Sequence, residues 1–169
     1  MSRLLLTSDQ HLGHKSICRF RTQFSSVEEH DDFVISNYCS IVKKHDTVYF
    51  LGDVAFTQQA IQRIKELPGH KVLILGNHDT ELPTHLLQKL LGCFNKVHGI
   101  TTKHHCWISH APIHPTELRS KPNIHGHTHN TIIKDHRYAN ICLENTNYKP
   151  VLFTDIQQAF KQNQIFTGY

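Results

Sequence analysis

The sequence has 169 residues, of which 38% are hydrophobic and 19% are charged, and its formal net charge is +4 at pH 7. A chain of this length can bury the core of one domain, so we expect a single domain over residues 1–169. Lysine and arginine form no continuous basic run, and charge alone therefore does not predict nucleic-acid binding. No stretch reaches the roughly 20 apolar residues of a transmembrane helix, so no membrane-spanning helix is expected.

The five cysteines are odd in number and have no Cys-x-x-Cys spacing. This pattern argues against both a disulfide framework and a thiolate zinc site, and it favours a reducing compartment. The apolar run at residues 4–6 is too short for the core of a signal peptide. We therefore expect a cytoplasmic protein, located in the host cytoplasm if the source is a virus.

Strands and amphipathic helices alternate in the first half of the predicted chain. Apolar runs predict strands at residues 4–6, 48–51 and 72–75, and periodic apolar positions predict helices at 26–42, 58–67 and 83–91. Ser26 and Glu29 have the spacing of a capping box at the start of the first long helix. Residues 13–24 are expected to form a loop or short helix. The alternation predicts parallel strands joined by crossover helices.

From residue 95 onward, short apolar segments with short connections predict a second, antiparallel or mixed sheet. The expected strands are 97–101, 104–109, 123–125, 131–134, 138–143 and 151–153. A final helix is predicted to begin at Thr154 or Asp155 and to continue through Phe160. The segment 112–122 contains three prolines and is expected to be an exposed flap beside His110.

Five predicted strands end at side chains that can bind metal or transfer protons. These endings are Asp9-Gln10-His11, Gly52-Asp53, Gly76-Asn77-His78-Asp79, His110 and Gly126-His127-Thr128-His129. Ligands of open α/β sheets bind at the carboxyl ends of the strands, so we expect these side chains to share one site. Residues two apart in an extended chain point to the same side, and each such pair can therefore reach one ion.

The expected metal ligands are all nitrogen or oxygen donors. They are Asp9, His11, Asp53, Asn77, His110, His127 and His129. Seven such donors are too many for one tetrahedral zinc ion and suit two ions of the manganese, iron or zinc type. Two ions in close proximity need a shared anionic ligand, and Asp53 is the candidate.

Several of these residues could have a structural role instead of a role in the site. Asn77 and Asp79 could cap the turn after the third strand. His14 could support a ligand, contact a substrate or lie on the surface. His125 is expected to face away from the site because it alternates with His127. Three cationic side chains of the 13–24 segment could bind a substrate phosphate, but we expect them to be solvated; they are Lys15, Arg19 and Arg21.

Taken together, the five motifs resemble the signature motifs of the calcineurin-like metallophosphoesterases and follow that family's order from residue 9 to residue 129. The stretch Asp9-Gln10-His11-Leu12-Gly13-His14 and residues 140–151 are similar to a group of small bacterial and phage phosphoesterases. The resemblance implies an α/β fold, a four-layer α-β-β-α sandwich with two mixed sheets between helices. It also implies a domain without a cap domain.

The resemblance further implies a role for each site residue. One divalent ion would be held by Asp9, His11, Asp53 and His129, and the other by Asp53, Asn77, His110 and His127. His78 would contact the substrate phosphate and protonate the leaving oxygen, and Asp79 would orient it. His14 and Asn77 are expected to help bind the substrate. Two Mn²⁺ ions are favoured, with iron, zinc or nickel as alternatives.

The activity that these roles imply is hydrolysis of a small phosphate ester by a hydroxide that bridges the two ions. The expected substrate is a phosphodiester or nucleotide, and a phosphodiesterase is favoured over a phosphomonoesterase. A small metal-dependent nuclease is one alternative, supported by the basic 13–24 segment, although nucleic acid is not the favoured partner. A non-catalytic protein-binding module on the same fold is an alternative of another class, and the complete set of ligands argues against it. No membrane partner is expected; the oligomeric state is left open.

Overall fold

The computed structural model describes residues 2–168, which contain nine strands and six α-helices. The strands are β1 (Leu4–Thr7), β2 (Thr47–Phe50), β3 (His70–Ile74), β4 (Lys96–His98), β5 (Ile100–Lys103), β6 (Cys106–Ser109), β7 (Asn123–His125), β8 (Tyr138–Asn140) and β9 (Val151–Leu152). The helices are α1 (Ile17–Phe20), α2 (Val27–Ile41), α3 (Gln58–Glu66), α4 (Asn77–Glu81), α5 (Thr84–Leu91) and α6 (Phe153–Lys161). None of these helices is long and apolar enough to cross a membrane.

The first sheet has the strand order β4-β3-β2-β1-β9. Strands β1 to β4 are parallel, and β9 pairs with β1 in the antiparallel direction. Helices α2, α3 and α5 lie in the connections between the parallel strands, which confirms the predicted alternation. The Ser26 hydroxyl accepts a hydrogen bond from Glu29 N, whereas the Glu29 carboxylate accepts from Ser25 rather than completing the predicted capping box.

The second sheet has the order β5-β6-β7-β8 and is also mixed, since β5 is antiparallel to β6 and the other pairs are parallel. The predicted strand 97–101 is divided at Gly99 into β4 and β5, which belong to different sheets. Residues 131–134 form no strand. Both differences arise in short segments where apolar alternation is weak and tertiary contacts decide the conformation.

The first sheet lies between a layer of helices and the second sheet. Leu5, Phe50 and Leu73 pack with the apolar faces of α2, α3 and α5. The next residues along the same strands, which point to the other face, pack against the second sheet. They are Leu6, Leu51 and Ile74.

The segment 112–122 contacts the outer face of the second sheet, and most of its residues are exposed, as expected. The Trp107 indole donates a hydrogen bond to Leu118 O at 2.9 Å, and the Tyr138 hydroxyl donates to Ile113 O at 2.7 Å. Leu118 itself is buried. This part of the predicted fourth layer is an irregular segment with one 3-10 turn, Pro115–Glu117, rather than a helix. The structure thus has the expected α/β class and two mixed sheets, with a reduced outer layer.

Candidate metal centre

The loops that follow the strands hold most of the predicted ligands in an unusual backbone conformation. Five non-glycine residues have φ angles between 46° and 68°, in the left-handed region; they are Asp9, His11, Asp53, His127 and His129. Each such residue costs on the order of 1 kcal/mol or more, and such strain is concentrated at functional sites. In this conformation, polar side chains from different loops lie close together.

The first group of possible metal ligands consists of Asp9, His11 and His129, whose ligand atoms all lie within 4.8 Å of one another. Asp9 Oδ1 lies 3.7 Å from His11 Nε2 and 4.0 Å from His129 Nε2. Asp9 Oδ1 and His11 Nε2 are buried and have no hydrogen-bond partner. Buried polar atoms without partners are costly, and a cation between them would remove that cost.

The second group consists of Asp53, His110 and His127, again with ligand atoms within 4.8 Å of one another. His110 Nε2 lies 3.4 Å from Asp53 Oδ2, 3.2 Å from His127 Nδ1 and 3.0 Å from Asn77 Oδ1. Both donor sets consist of nitrogen and oxygen atoms, as a divalent ion of the manganese, iron or zinc type requires.

Asp53 connects the two groups. Its Oδ2 atom lies 3.4 Å from His110 Nε2 and 3.8 Å from His11 Nε2, one histidine from each group. The structure therefore brings all seven predicted ligands into one region and places Asp53 where a bridging carboxylate would lie.

Two glycines allow the loops to approach the carboxylates closely. A Cβ atom at Gly126 would lie 1.9 Å from Ser8 Oγ and 2.3 Å from Asp9 Oδ2. A Cβ atom at Gly76 would lie 2.2 Å from Asp53 Oδ1. All three distances are far below contact distance, so glycine is required at each position for the carboxylates to keep their places.

The surroundings of the carboxylates keep them ionised. Burial alone would raise the pKa of Asp9, but its contact with His11 and the charge of His110 outweigh burial and lower that pKa. The pKa of Asp53 is lowered in the same way, because the contact with His110 outweighs burial. Burial acts against the charged form of His110 as well, yet its contact with Asp53 raises its pKa to about 9. An ion that binds His110 must therefore displace a proton.

His78 lies in α4, a helix that the sequence did not predict. Its side chain is 41% exposed, and its Nδ1 atom lies 2.8 Å from Glu81 Oε2. Its ring centroid is 5.8 Å from that of His11, and its backbone N–H donates to Asp53 Oδ1 at 3.0 Å. The imidazole thus stands beside the first group, open to solvent.

Asp79 does not contact His78 in the expected way. Its buried carboxylate accepts hydrogen bonds from the backbone N–H groups of Gly76, Asp53 and Val54 at 2.9 to 3.0 Å. Burial raises its pKa despite these bonds. The structure therefore assigns Asp79 to fixing the Asp53 and Gly76 loops, and Glu81 is the acidic side chain that contacts His78.

Arg21 and Glu144 are two residues of the site whose roles the sequence did not predict. The His129 Nδ1–H donates to Glu144 Oε1 at 3.0 Å, and Arg21 donates to the same oxygen at 2.9 Å. Arg21 also donates to the backbone oxygen of Asp9 at 2.6 Å, and its side chain is 1% exposed, so the expectation that it is solvated is wrong. Burial would raise the pKa of Glu144, but His129 and Arg21 lower it to about 2.

A cleft of about 610 Å³ opens beside the first group. His14 lines this cleft, with its ring centroid 5.7 Å from that of His11 and its Nδ1 atom buried without a partner. Burial, together with the nearby His11 and His78, lowers the pKa of His14. His125 lies outside both groups, buried against the Tyr138 ring at 6.0 Å between ring centroids, as its alternation predicted.

The fold and the two groups define an α/β protein with two adjacent candidate metal sites. The chain is 34% identical over 166 residues to the Gene 66 protein of Mycobacterium phage L5, covering 79% of this chain and 80% of that protein. It belongs to the family of this phage protein. An uncharacterized protein of Methanocaldococcus jannaschii is 28% identical over 175 residues, covering 98% of this chain and 95% of that protein. No family model matches the chain.

Two solved structures are also similar. A protein of unknown function from Aquifex aeolicus has a TM-score of 0.71 and 24% identity, covering 94% of this chain and 99% of that chain, and shares the fold. A metallophosphoesterase from Sphaerobacter thermophilus has a TM-score of 0.41 and 16% identity, covering 76% of this chain and 60% of that chain. The latter similarity is too low to assign an activity.

Proposed function

We propose that this protein is a phosphodiesterase of the calcineurin-like metallophosphoesterase type that uses two divalent ions. The position of Asp53 carries the proposal, because its carboxylate lies between two groups that could each hold an ion. The unpartnered Asp9 Oδ1 and His11 Nε2 atoms add support, since an ion would satisfy both.

The donors divide between the two ions as follows. Asp9, His11, Asp53 and His129 would hold one, and Asp53, Asn77, His110 and His127 would hold the other. When bound, such a pair supplies an activated water at neutral pH and neutralises the phosphoryl oxygens. Mn²⁺ is the favoured ion, and iron, zinc and nickel suit the same donors.

The chain itself supplies the proton for the leaving group. His78 is exposed beside the first group, and Glu81 accepts from its Nδ1 atom. With Nδ1–H donated to Glu81, Nε2 holds a proton when the ring is an imidazolium, and that proton can pass to the leaving oxygen, a transfer well suited to imidazole near neutral pH. His14 in the cleft and Asn77 beside His110 would contact the phosphate group.

A diester fits the charges of the site better than a monoester does. A monoester carries a second negative charge near neutral pH, which a further cationic side chain would have to offset. Arg21 already donates hydrogen bonds to the Glu144 carboxylate and to the Asp9 backbone oxygen. Among the described residues that line the cleft, Arg19 at the rim is the single arginine or lysine. The singly charged diester is therefore the proposed substrate.

The test is hydrolysis of bis-p-nitrophenyl phosphate compared with p-nitrophenyl phosphate by metal-stripped protein supplied with Mn²⁺, with Mg²⁺ as a control. We expect release of p-nitrophenol that depends on Mn²⁺ and is faster from the diester. Faster release from the monoester would replace the proposal with a phosphomonoesterase. No release from either compound by protein that binds no metal would favour the non-catalytic module.

A further inference from the structure

Phe20 is the most exposed large hydrophobic side chain among the described residues, at 75% of its surface. It ends α1, a short helix whose neighbours fix its position. Ile17 is buried, and the backbone N–H of Arg21 donates to Ile17 O at 2.8 Å. Arg21 is itself held in the interior by Glu144. Phe20 is therefore exposed on a segment that buried neighbouring residues hold in place.

The exposed ring stands in the cleft beside the first metal group. Its centroid is 6.3 Å from that of His14, which in turn is 5.7 Å from that of His11, one of the candidate ligands. His78 and His129 line the same cleft, whose volume of about 610 Å³ is in the range of sites that bind small molecules. A phosphate held at the metal groups would thus have an aromatic surface within reach of one substituent.

One cationic side chain lies at the rim of the cleft, and the Glu144 carboxylate that also lines it is paired with Arg21 and His129. Arg19 is exposed there, and among residues 2–168 its guanidinium forms no ion pair. An exposed cation attracts an anionic ligand, whereas an exposed aromatic ring gains most from contact with another planar group. An anion that carries a planar ring matches both features.

We propose that the cleft accepts a nucleoside phosphodiester whose base stacks on Phe20 while its phosphate lies at the two metal groups. This inference rests on the proposed function and names its substrate class. Hydrolysis breaks the bond between phosphorus and the leaving oxygen. Water supplies the oxygen that joins phosphorus and releases a proton to solvent. His78 supplies the proton that the leaving oxygen takes up and is reprotonated from solvent. The nucleoside stays on the retained phosphate, so the product is a nucleoside monophosphate.

The first test measures binding of that product. Isothermal titration of the Mn²⁺-loaded protein with AMP and with ribose 5-phosphate measures the contribution of the base to affinity, because the base is what distinguishes the two ligands. Stacking of one base on an aromatic side chain predicts that AMP binds about 5- to 150-fold more tightly than ribose 5-phosphate. Phe20→Ala should abolish that difference, and Phe20→Trp should keep it.

Phe33→Ala is the matched control. Phe33 is also an exposed phenylalanine, at 45%, and it packs against Phe24 and Tyr148 instead of lining the cleft. We expect Phe33→Ala to leave both affinities unchanged. Equal affinities of the wild-type protein for AMP and ribose 5-phosphate would overturn the inference, as would an equal loss of both in Phe20→Ala.

The second test separates this inference from the proposed function. The p-nitrophenyl ester of thymidine 5′-phosphate and methyl p-nitrophenyl phosphate share a leaving group and differ in the nucleoside. We expect Phe20→Ala to raise KM for the nucleoside ester by about 5- to 150-fold and to leave the methyl ester nearly unaffected. Turnover of both esters without any effect of Phe20 would overturn the inference alone. AMP binding that depends on Phe20, with turnover of neither ester, would instead overturn the proposed activity.

Discussion

His129 donates a hydrogen bond from Nδ1 to the Glu144 carboxylate at 3.0 Å, which leaves its Nε2 atom 4.0 Å from Asp9 Oδ1. The carboxylate can only accept, so the contact fixes the tautomer in which Nε2 is free to bind an ion. Burial of Glu144 and the ion pair with Arg21 hold the carboxylate in place. A carboxylate in this relation to a metal-binding histidine orients the ring and raises its basicity.

Glu144→Ala is therefore expected to weaken Mn²⁺ binding by about 10- to 100-fold, and Glu144→Gln by less, because an amide oxygen can still accept from His129. Isothermal titration with Mn²⁺ measures the effect. Glu117→Gln serves as the control, since its exposed carboxylate pairs with Arg119 in the 112–122 segment. Unchanged affinity in Glu144→Ala, with the fold intact by circular dichroism, would remove Glu144 from the site.

His78→Ala and Asp53→Asn should separate catalysis from metal binding. His78 contacts no ion in the proposed arrangement, so His78→Ala should retain both ions and lose about 100- to 10,000-fold in kcat. Asp53→Asn should bind fewer ions, because a neutral amide replaces the shared anionic ligand. Metal content by atomic emission and hydrolysis of bis-p-nitrophenyl phosphate measure the two properties. Wild-type turnover by His78→Ala would refute its role as the acid.

Gly126→Ala tests the close approach of the His127 loop to Asp9. The added methyl group would lie 1.9 Å from Ser8 Oγ, so either the loop or the carboxylate must move. We expect a loss of about 1–3 kcal/mol in the free energy of unfolding and weaker Mn²⁺ binding. Gly99→Ala is the control, because a Cβ there meets no atom within 4 Å. Equal stability of the two variants in urea would contradict the packing argument.

Mn²⁺ binding should depend on pH through His110. Its pKa of about 9 lies above the usual value of 6.5, so in the metal-free protein its contact with Asp53 stabilises the fold fully below pH 6.5. That contribution is lost as the pH rises through 9. The ion must displace this proton, so the apparent affinity for Mn²⁺ should rise between pH 7 and 9. Displacement of one proton allows a rise of at most about tenfold per pH unit. Titrations in buffers of different ionisation enthalpy should show proton release, and identical heats at pH 7.5 would contradict it.

The sequence was sufficient to predict the regular elements of the first sheet. Apolar runs located β1, β2 and β3, and helical periodicity located α2, α3 and α5 within a few residues. It also predicted that polar residues after these strands would meet, because parallel strands present their carboxyl ends at one edge. The position of Asp9, Asp53 and Asn77 after these strands is enough to predict that they lie close together.

Contacts between distant segments were not predictable in the same way. Arg21 and Glu144 are 123 residues apart, and neither has a local pattern that indicates a buried pair. The contact of Asp79 with three backbone N–H groups likewise depends on how close two loops lie. In the sequence, Phe20 cannot be distinguished from a core residue. Whether an aromatic ring is exposed depends on which other parts of the fold cover it.

Two ions that share Asp53 are the central feature of the proposed site. Anomalous diffraction from crystals grown with Mn²⁺ would locate them. We predict two peaks about 3.5–4 Å apart, each within coordination distance of the Asp53 carboxylate, one beside His11 and His129 and the other beside His110 and His127. A single peak that does not touch Asp53, or no peak at either group in protein saturated with Mn²⁺, would contradict the account.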